Sequence, residues 1–106
     1  MPKYLFQASY TAGGAKGLLR EGGTSRRATI EQTVKGLGGT LESFHFAFGD
    51  VDVFAIADLP DEAAATAIAL QINAAGGASV KTTVLISPET VDAATKKQVD
   101  YRPAGA

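Results

Sequence analysis

Two residues in the middle of the chain have the types and spacing that acid–base chemistry needs. His45 is the single histidine, and its ordinary pKa lies nearest neutrality, so it is the natural general acid or base. The alternation of apolar and polar residues predicts a hairpin that places Asp52 diagonally across from His45 on one sheet face. A carboxylate there would orient the imidazole and favour its charged form. In the competing interpretation, His45 fills a partly polar space and Asp52 bonds backbone N–H groups.

A second group of residues suits the binding of an anion. Arg20 and Arg26 lie with other basic residues around a glycine-rich stretch, whose exposed N–H groups would help to hold a carboxylate or a phosphate. Tyr10 is a further candidate for ligand binding, because aromatic side chains of the first strand would line a pocket for a flat molecule. The alternatives are that the glycines only shape a turn, that the arginines lie on a solvated helix face or pair with Glu21 and Glu31, and that the aromatic residues are core. The glycine spacing matches no nucleotide-binding motif.

Composition limits the function classes that remain. The chain has 106 residues, a mass of 10.9 kDa, 45% hydrophobic and 20% charged residues, which indicates one globular domain over 1–106. A net charge of −1 makes nucleic acid an unfavourable partner. No cysteine is present, so thiolate metal sites and cysteine nucleophiles are excluded, and we expect neither a metal nor a cofactor. With no apolar run of about 18 residues and no signal-peptide pattern, we expect no membrane association and a cytoplasmic location.

Hydrophobic periodicity predicts the elements that must position these side chains. Alternation over 4–10 indicates a first strand. The five glycines of the stretch from Thr11 to Gly23 predict a loop that contains one short helical turn. Near-helical spacing from Ser25 predicts a helix that ends at Gly38 and Gly39.

The second half repeats this order. Phe44, Phe46 and Phe48 share one parity of a strand over 40–48, and a two-residue turn at Gly49 and Asp50 leads into a strand over 51–57. The register places Leu41 and His45 on the opposite face. Pro60 lies near the start of the next helix, whose predicted buried residues are Ala64, Ala67, Ile68, Ile72 and Ala75. A strand over 78–86 and a short helix from Ser87 to about Lys97 precede a loose tail.

The predicted order is β-α-β-β-α-β, the ferredoxin-like α+β arrangement, with a four-stranded antiparallel sheet and a short extra C-terminal helix. Two helices cover only one face of such a sheet, whereas both faces carry apolar residues in this register. The uncovered face would measure roughly 400 Å² from strand spacings, comparable with the largest apolar patch of a typical monomer. We therefore expect a homodimer, or an assembly of dimers, in which a second copy covers that face.

The sequence resembles the GYD domain family over roughly 3–87, with 88–106 as a C-terminal helix and tail. The similarity is carried by Tyr10-Thr11, Gly17-Leu18, Gly22-Gly23, Arg26, Gly38-Gly39, 44–52, 59–64 and 81–85. The resemblance implies a dimeric α+β barrel, in which two ferredoxin-like subunits place their sheets face to face. In this family a tyrosine lies where this chain has Val51, and an aromatic residue lies where it has His45.

Two functions follow as hypotheses. The first is a small-ligand-binding or assembly module, since nothing visible in the sequence requires catalysis. The second is a cofactor-independent monooxygenase or isomerase of the dimeric barrel type, acting on a small aromatic or hydroxylated metabolite. In the second, His45 is the base, Asp52 orients it and Arg26 holds an anionic group. A closed cavity of roughly 300 Å³ beside His45 would favour the enzyme.

Overall fold

A four-stranded antiparallel sheet with helices on one face forms the body of the computed structural model, which describes residues 1–106. The elements follow in the order β1 (Lys3–Tyr10), α1 (Ala12–Glu21), α2 (Gly23–Gly36), β2 (Thr40–Phe46), β3 (Val53–Asp58), α3 (Glu62–Ala75), β4 (Ala78–Leu85) and α4 (Pro88–Thr95). The strands are ordered β2-β3-β1-β4, so β1 and β3 are central. This arrangement is the ferredoxin-like α+β fold, as the sequence predicted.

The core lies between the sheet and the helices α2 and α3. Alternate residues of the two central strands supply its floor, with Tyr4 and Phe6 from β1 and Val53, Ala55 and Ala57 from β3 all buried. Because side chains of a strand alternate between faces, the intervening residues project to the face without helices. The apolar parity predicted for the first strand is therefore the helix-covered side.

A regular helix replaces the loop predicted between Thr11 and Gly23. Thr11 caps α1, because its hydroxyl accepts a hydrogen bond from the N–H of Gly14 at 3.2 Å. The prediction was wrong because it weighed only the low helix propensity of glycine. Tertiary contact overrides that propensity here: a Cβ at Gly14 would collide with the backbone of Gly77, so glycine lets α1 pack against the α3–β4 turn.

The start of α3 is also displaced from its predicted position. Asp61 is the N-cap, and its carboxylate accepts a hydrogen bond from the N–H of Ala64 at 2.9 Å, so Pro60 precedes the helix. The helix buries Ala65 with Ala64 and Ile68, whereas the predicted core residue Ala75 is exposed. Gly76 ends the helix in the left-handed region with φ of 80°, a conformation that glycine adopts without steric cost.

The hairpin between β2 and β3 keeps the predicted register but not the predicted turn. Phe46 pairs with Val53, yet the strands end there, and the left-handed residue of the connection is Phe48, with φ of 58°, rather than Gly49. A bulge between Leu41 and Ser43 reverses the side on which the start of β2 projects. Leu41 therefore packs against the core, not on the opposite face as predicted.

The face without helices and the C-terminal segment both remain uncovered. Phe54 of β3 is 36% exposed on that face, where Leu5, Ile56 and Leu85 are half-buried. Beyond Leu85, every residue of 86–106 is exposed, including all of α4. The radius of gyration is 17.0 Å, against about 13 Å for a compact chain of 100 residues. The C-terminal segment thus lies apart from the body.

The contact between α1 and the α3–β4 turn predicts opposite effects for two neighbouring substitutions. Gly14→Ala forces the two backbones apart, and we expect a loss of about 1–3 kcal/mol in the free energy of unfolding. Gly13→Ala meets only the Thr11 hydroxyl at 3.8 Å, so the better helix propensity of alanine should stabilise the fold by up to about 1 kcal/mol. Thermal unfolding measures both. Equal melting temperatures for the two variants would contradict the proposed role of the contact.

Candidate functional site

A cavity of about 240 Å³ opens on the helix-covered side of the sheet, at the end of β1. Its walls come from the last residue of β1, one side of α1, the first turn of α2, the end of α3 and the start of β4. Five of its ten lining residues are hydrophobic, and the polar groups are concentrated in Tyr10, Glu21 and Arg26. The cavity is slightly smaller than the roughly 300–1,000 Å³ of typical ligand pockets, which suits a small molecule.

Two of the three residues predicted to bind a ligand meet in this cavity. Tyr10 is the last residue of β1, and its ring lies against Gly14, where a Cβ would stand 3.1 Å from the Tyr10 Cδ1 atom. Arg26 lies in the first turns of α2, which packs closely on β2 because Gly23 leaves room for the ring of Phe46. Both side chains line the cavity, whereas Arg20 is exposed and does not.

The phenol of Tyr10 stays protonated over a wide pH range. Burial raises its pKa above the ordinary value of 10.0, because the phenolate would lose hydration. The positive charge of Arg26 acts against this rise, while the charges of Asp52 and Glu21 add to it. At neutral pH the hydroxyl is therefore a hydrogen-bond donor, and Tyr10 lines the same cavity as Arg26.

Arg26 has no carboxylate partner. The two ion pairs of the chain both belong to Lys3, whose ammonium lies 2.9 Å from Glu42 and 3.0 Å from Asp58. Glu21 lines the cavity with Arg26 but does not approach it within 4.0 Å, so the predicted pairing of the arginines with Glu21 or Glu31 does not form. Arg26 is half-buried, and its guanidinium acts on the phenol of Tyr10 by charge and by a side-chain hydrogen bond. Its other donors can bind a carboxylate in the bidentate geometry typical of arginine.

The residues predicted to act as catalytic pair lie in a different part of the molecule. His45 pairs with Phe54 across β2 and β3 and is exposed on the face without helices. The carboxylate of Asp52 accepts a hydrogen bond from the N–H of Tyr10 at 2.8 Å, and the N–H of Asp52 donates to the carbonyl of Ala8 at 2.9 Å. Asp52 thus extends the pairing of β3 with β1, which is the backbone role that the competing interpretation gave it. None of the five main cavities is lined by His45.

A second, wholly apolar cleft of about 40 Å³ lies between α2 and α3 above the central strands. All twelve of its lining residues are hydrophobic, among them Phe6 and Ala8 of β1, Ile30 of α2 and Ile72 of α3. Ile72 also lines the first cavity, so the two spaces are neighbours. The predicted aromatic pocket is therefore divided: Tyr4 and Phe6 belong to the core, while Tyr10 faces the polar cavity.

Sequence reasoning missed two members of the site, Glu21 and Ile72. Glu21 ends a helix that was predicted as a loop, so its position could not be inferred. Ile72 was predicted as a core residue from its helical spacing, a pattern that does not distinguish packing from the wall of a cavity. Elsewhere, no three acidic or histidine side chains are grouped as metal ligands. The helices are also too short or too polar to cross a bilayer.

Fold and site together define a small ferredoxin-like domain with one polar-mouthed cavity beside an apolar cleft. Comparison with protein families gives a match to the GYD domain over residues 4–95, and the chain belongs to this family. Comparison with curated proteins and with solved structures gives no match. Membership confirms the resemblance that the sequence motifs indicated.

The partly buried phenol of Tyr10 gives a direct test of the cavity. Absorbance at alkaline pH should show that Tyr10 ionises above its ordinary pKa of 10.0, because burial penalises the phenolate. The signal is isolated by subtracting the titration of Tyr10→Phe from that of the wild type. Arg26→Met should raise the pKa of Tyr10 further, since the opposing positive charge is removed. A Tyr10 that titrates at or below the ordinary value would contradict this geometry.

Proposed function

We propose that this GYD-family protein is a binding module for a small organic monocarboxylate, held in the cavity beside Tyr10. The observation that carries the proposal is the guanidinium of Arg26, which lines the cavity without any ion pair. Protein arginines that are partly buried are usually paired, because an uncompensated charge costs hydration energy. A ligand carboxylate would compensate this charge and would also accept a hydrogen bond from the protonated phenol of Tyr10.

The charges around the cavity favour one negative charge on the ligand over two. Arg26 is the one cation in the lining, and the carboxylate of Glu21 lies in the same wall. Asp52, bonded to the backbone of Tyr10, adds a further negative charge nearby. A phosphate dianion would be repelled by both carboxylates and compensated by a single cation. A monocarboxylate carries half that charge and matches the planar donors of arginine.

The positions of His45 and Asp52 support catalysis less well than the cavity supports ligand binding. His45 is exposed on the face without helices, whereas Arg26 and Tyr10 line a cavity on the helix-covered side. One small substrate cannot contact a base and an anion-binding arginine that lie on opposite sides of the sheet. The carboxylate of Asp52 already accepts the N–H of Tyr10. Ligand binding therefore agrees better with the positions of these residues than a monooxygenase or isomerase reaction does.

Removing the charge of Arg26 should abolish most of the binding. In Arg26→Met we expect carboxylate affinity to fall by about 10- to 100-fold, the range for hydrogen bonds to charged groups of about 1.5–3 kcal/mol. Butyrate and benzoate are the probes, titrated by calorimetry or by NMR shifts of the amides around the cavity. Arg27→Met is the matched control, because Arg27 is exposed and outside the lining. Equal losses in both variants would point to general surface charge and would overturn the proposal.

We also propose that a second copy of the chain covers the face without helices. Leu5, Phe54, Ile56 and Leu85 give this face an apolar centre, bordered by polar side chains. The roughly 400 Å² of the face is about half of the 800 Å² that each partner buries in a stable interface. The C-terminal segment, with its exposed apolar residues Ile86, Val91, Val99 and Tyr101, can supply the rest.

The C-terminal helix supports the same assembly. α4 has eight residues, and its start is stabilised by Ser87 as N-cap and by Pro88 and Glu89 in its first turn. A helix of this length is unstable in water unless it packs against another surface. None of its residues is buried against the body of its own chain. Contact with a partner subunit would provide the missing surface and join continuously to the open face at Leu85.

The mass of the particle in solution distinguishes a homodimer from a monomer. Sedimentation at micromolar concentration should give a particle of twice the chain mass of 10.9 kDa. Phe54→Lys should dissociate it, because it places a charge at the centre of the apolar face. Leu19→Lys is the matched control, since Leu19 is 87% exposed on α1, away from that face. A wild-type protein that sediments as a folded single chain would refute the dimer and leave the ligand site unaffected.

A further inference from the structure

We infer that the ligand of the polar cavity carries a short apolar group, and that this group enters the cleft between α2 and α3. The inference rests on the proposed function, since it assigns the part of the ligand that Arg26 and Tyr10 do not hold. The ligand class is a short-chain or branched amphipathic monocarboxylate. The arrangement of the two spaces along the same elements supports this class.

Several of the elements that line the polar cavity also line the apolar cleft, one step further along the same side. Along β1, Tyr10 lines the cavity and Ala8, two residues earlier on the same face, lines the cleft. Along α2, Arg26 lines the cavity and Ile30, four residues later and therefore one turn along the same side, lines the cleft. A molecule whose carboxylate binds Arg26 would therefore have the apolar cleft next to it.

The same step occurs in the second half of the chain. Ala78 and Val80 of β4 line the cavity and the cleft respectively, and they project to one face because they are two residues apart. Ile72 of α3 contributes to both walls. Its half-buried side chain is the one residue that lines both spaces, which places the cavity and the cleft side by side.

The cleft suits an apolar group better than it suits water. Its volume of about 40 Å³ exceeds the roughly 10–15 Å³ that one water molecule needs, but its lining provides no polar atom to bond a water. Protein interiors are otherwise close-packed, and an unfilled void loses the attractive contacts of its lining atoms. A methyl or short methylene group of the ligand would restore those contacts. The small volume limits this group to a few carbon atoms.

A homologous series of carboxylates tests the inference on the wild-type protein. Acetate, butyrate, hexanoate and octanoate are titrated by NMR or calorimetry. We expect affinity to increase about fourfold for each methylene that enters the cleft, which corresponds to the burial of one CH₂, and then to level off once the cleft is filled. Amide shifts of Ala8 and Ile30 should respond to hexanoate and not to acetate.

Filling the cleft with a protein side chain provides the second arm. Ala8→Leu should reduce the ratio of hexanoate affinity to acetate affinity at least tenfold, because the leucine occupies the space of the ligand tail. Ala28→Leu, the same change at an exposed position of α2, should bind the whole series as the wild type does. If Ala8→Leu does not fold, Ile30→Phe fills the cleft from the opposite wall.

The outcomes separate this inference from the function on which it rests. A wild-type affinity that does not change with chain length, or an unchanged series in the filled variant, would overturn the apolar subsite while Arg26-dependent binding stands. Failure of every carboxylate to bind, or equal binding by Arg26→Met, would overturn the proposed function itself. A chain-length dependence that disappears in the filled variant and persists in Ala28→Leu supports the inference.

Discussion

The close approach of α1 to the turn between α3 and β4 is the contact on which the cavity depends. The N–H of Thr11 donates to the carbonyl of Gly77 at 3.0 Å, and the Thr11 hydroxyl donates to the carbonyl of Gly76 at 2.9 Å. Gly14 has no side chain, so α1 can approach the turn closely enough for these bonds to form. The bonds stabilise a glycine-rich helix that has little stability of its own. The wall of the cavity that α1 forms therefore depends on the contact between α1 and the α3–β4 turn.

The same geometry explains why Arg26 is left without a partner. Gly22 lies in the left-handed region with φ of 84°, so the chain turns sharply between α1 and α2 and brings Glu21 and Arg26 to one cavity without joining them. A guanidinium in this position contributes less to stability than a paired one. A residue such as Arg26, which lowers stability in a fold that otherwise follows ordinary packing rules, is typical of a functional site.

The sequence predicts the parts of this molecule that depend on local pattern. The alternation of apolar and polar residues predicts the pairing of Phe46 with Val53, which the structure has. Ser87 followed by Pro88 predicts the start of the extra C-terminal helix, which is also present. The errors arise where a distant contact decides the structure. Glycine at position 14 disfavours a helix locally, and only the proximity of Gly77 explains α1. The bulge after Leu41 likewise has no local signal. Arg26 and Tyr10 were found from residue type, but their meeting in one cavity required the folded chain.

The sheet separates the two proposed surfaces and also connects them through one strand. β1 directs Tyr10 into the cavity, while Leu5 of the same strand projects to the face that a second copy would cover. Each site therefore lies within one subunit, and a dimer would carry two of them. Coupling between them would require an element such as β1 to have two discrete arrangements that both sites bias. Hydrogen bonds to β3 and β4 on both sides hold β1 in place, so the geometry favours sites that bind independently.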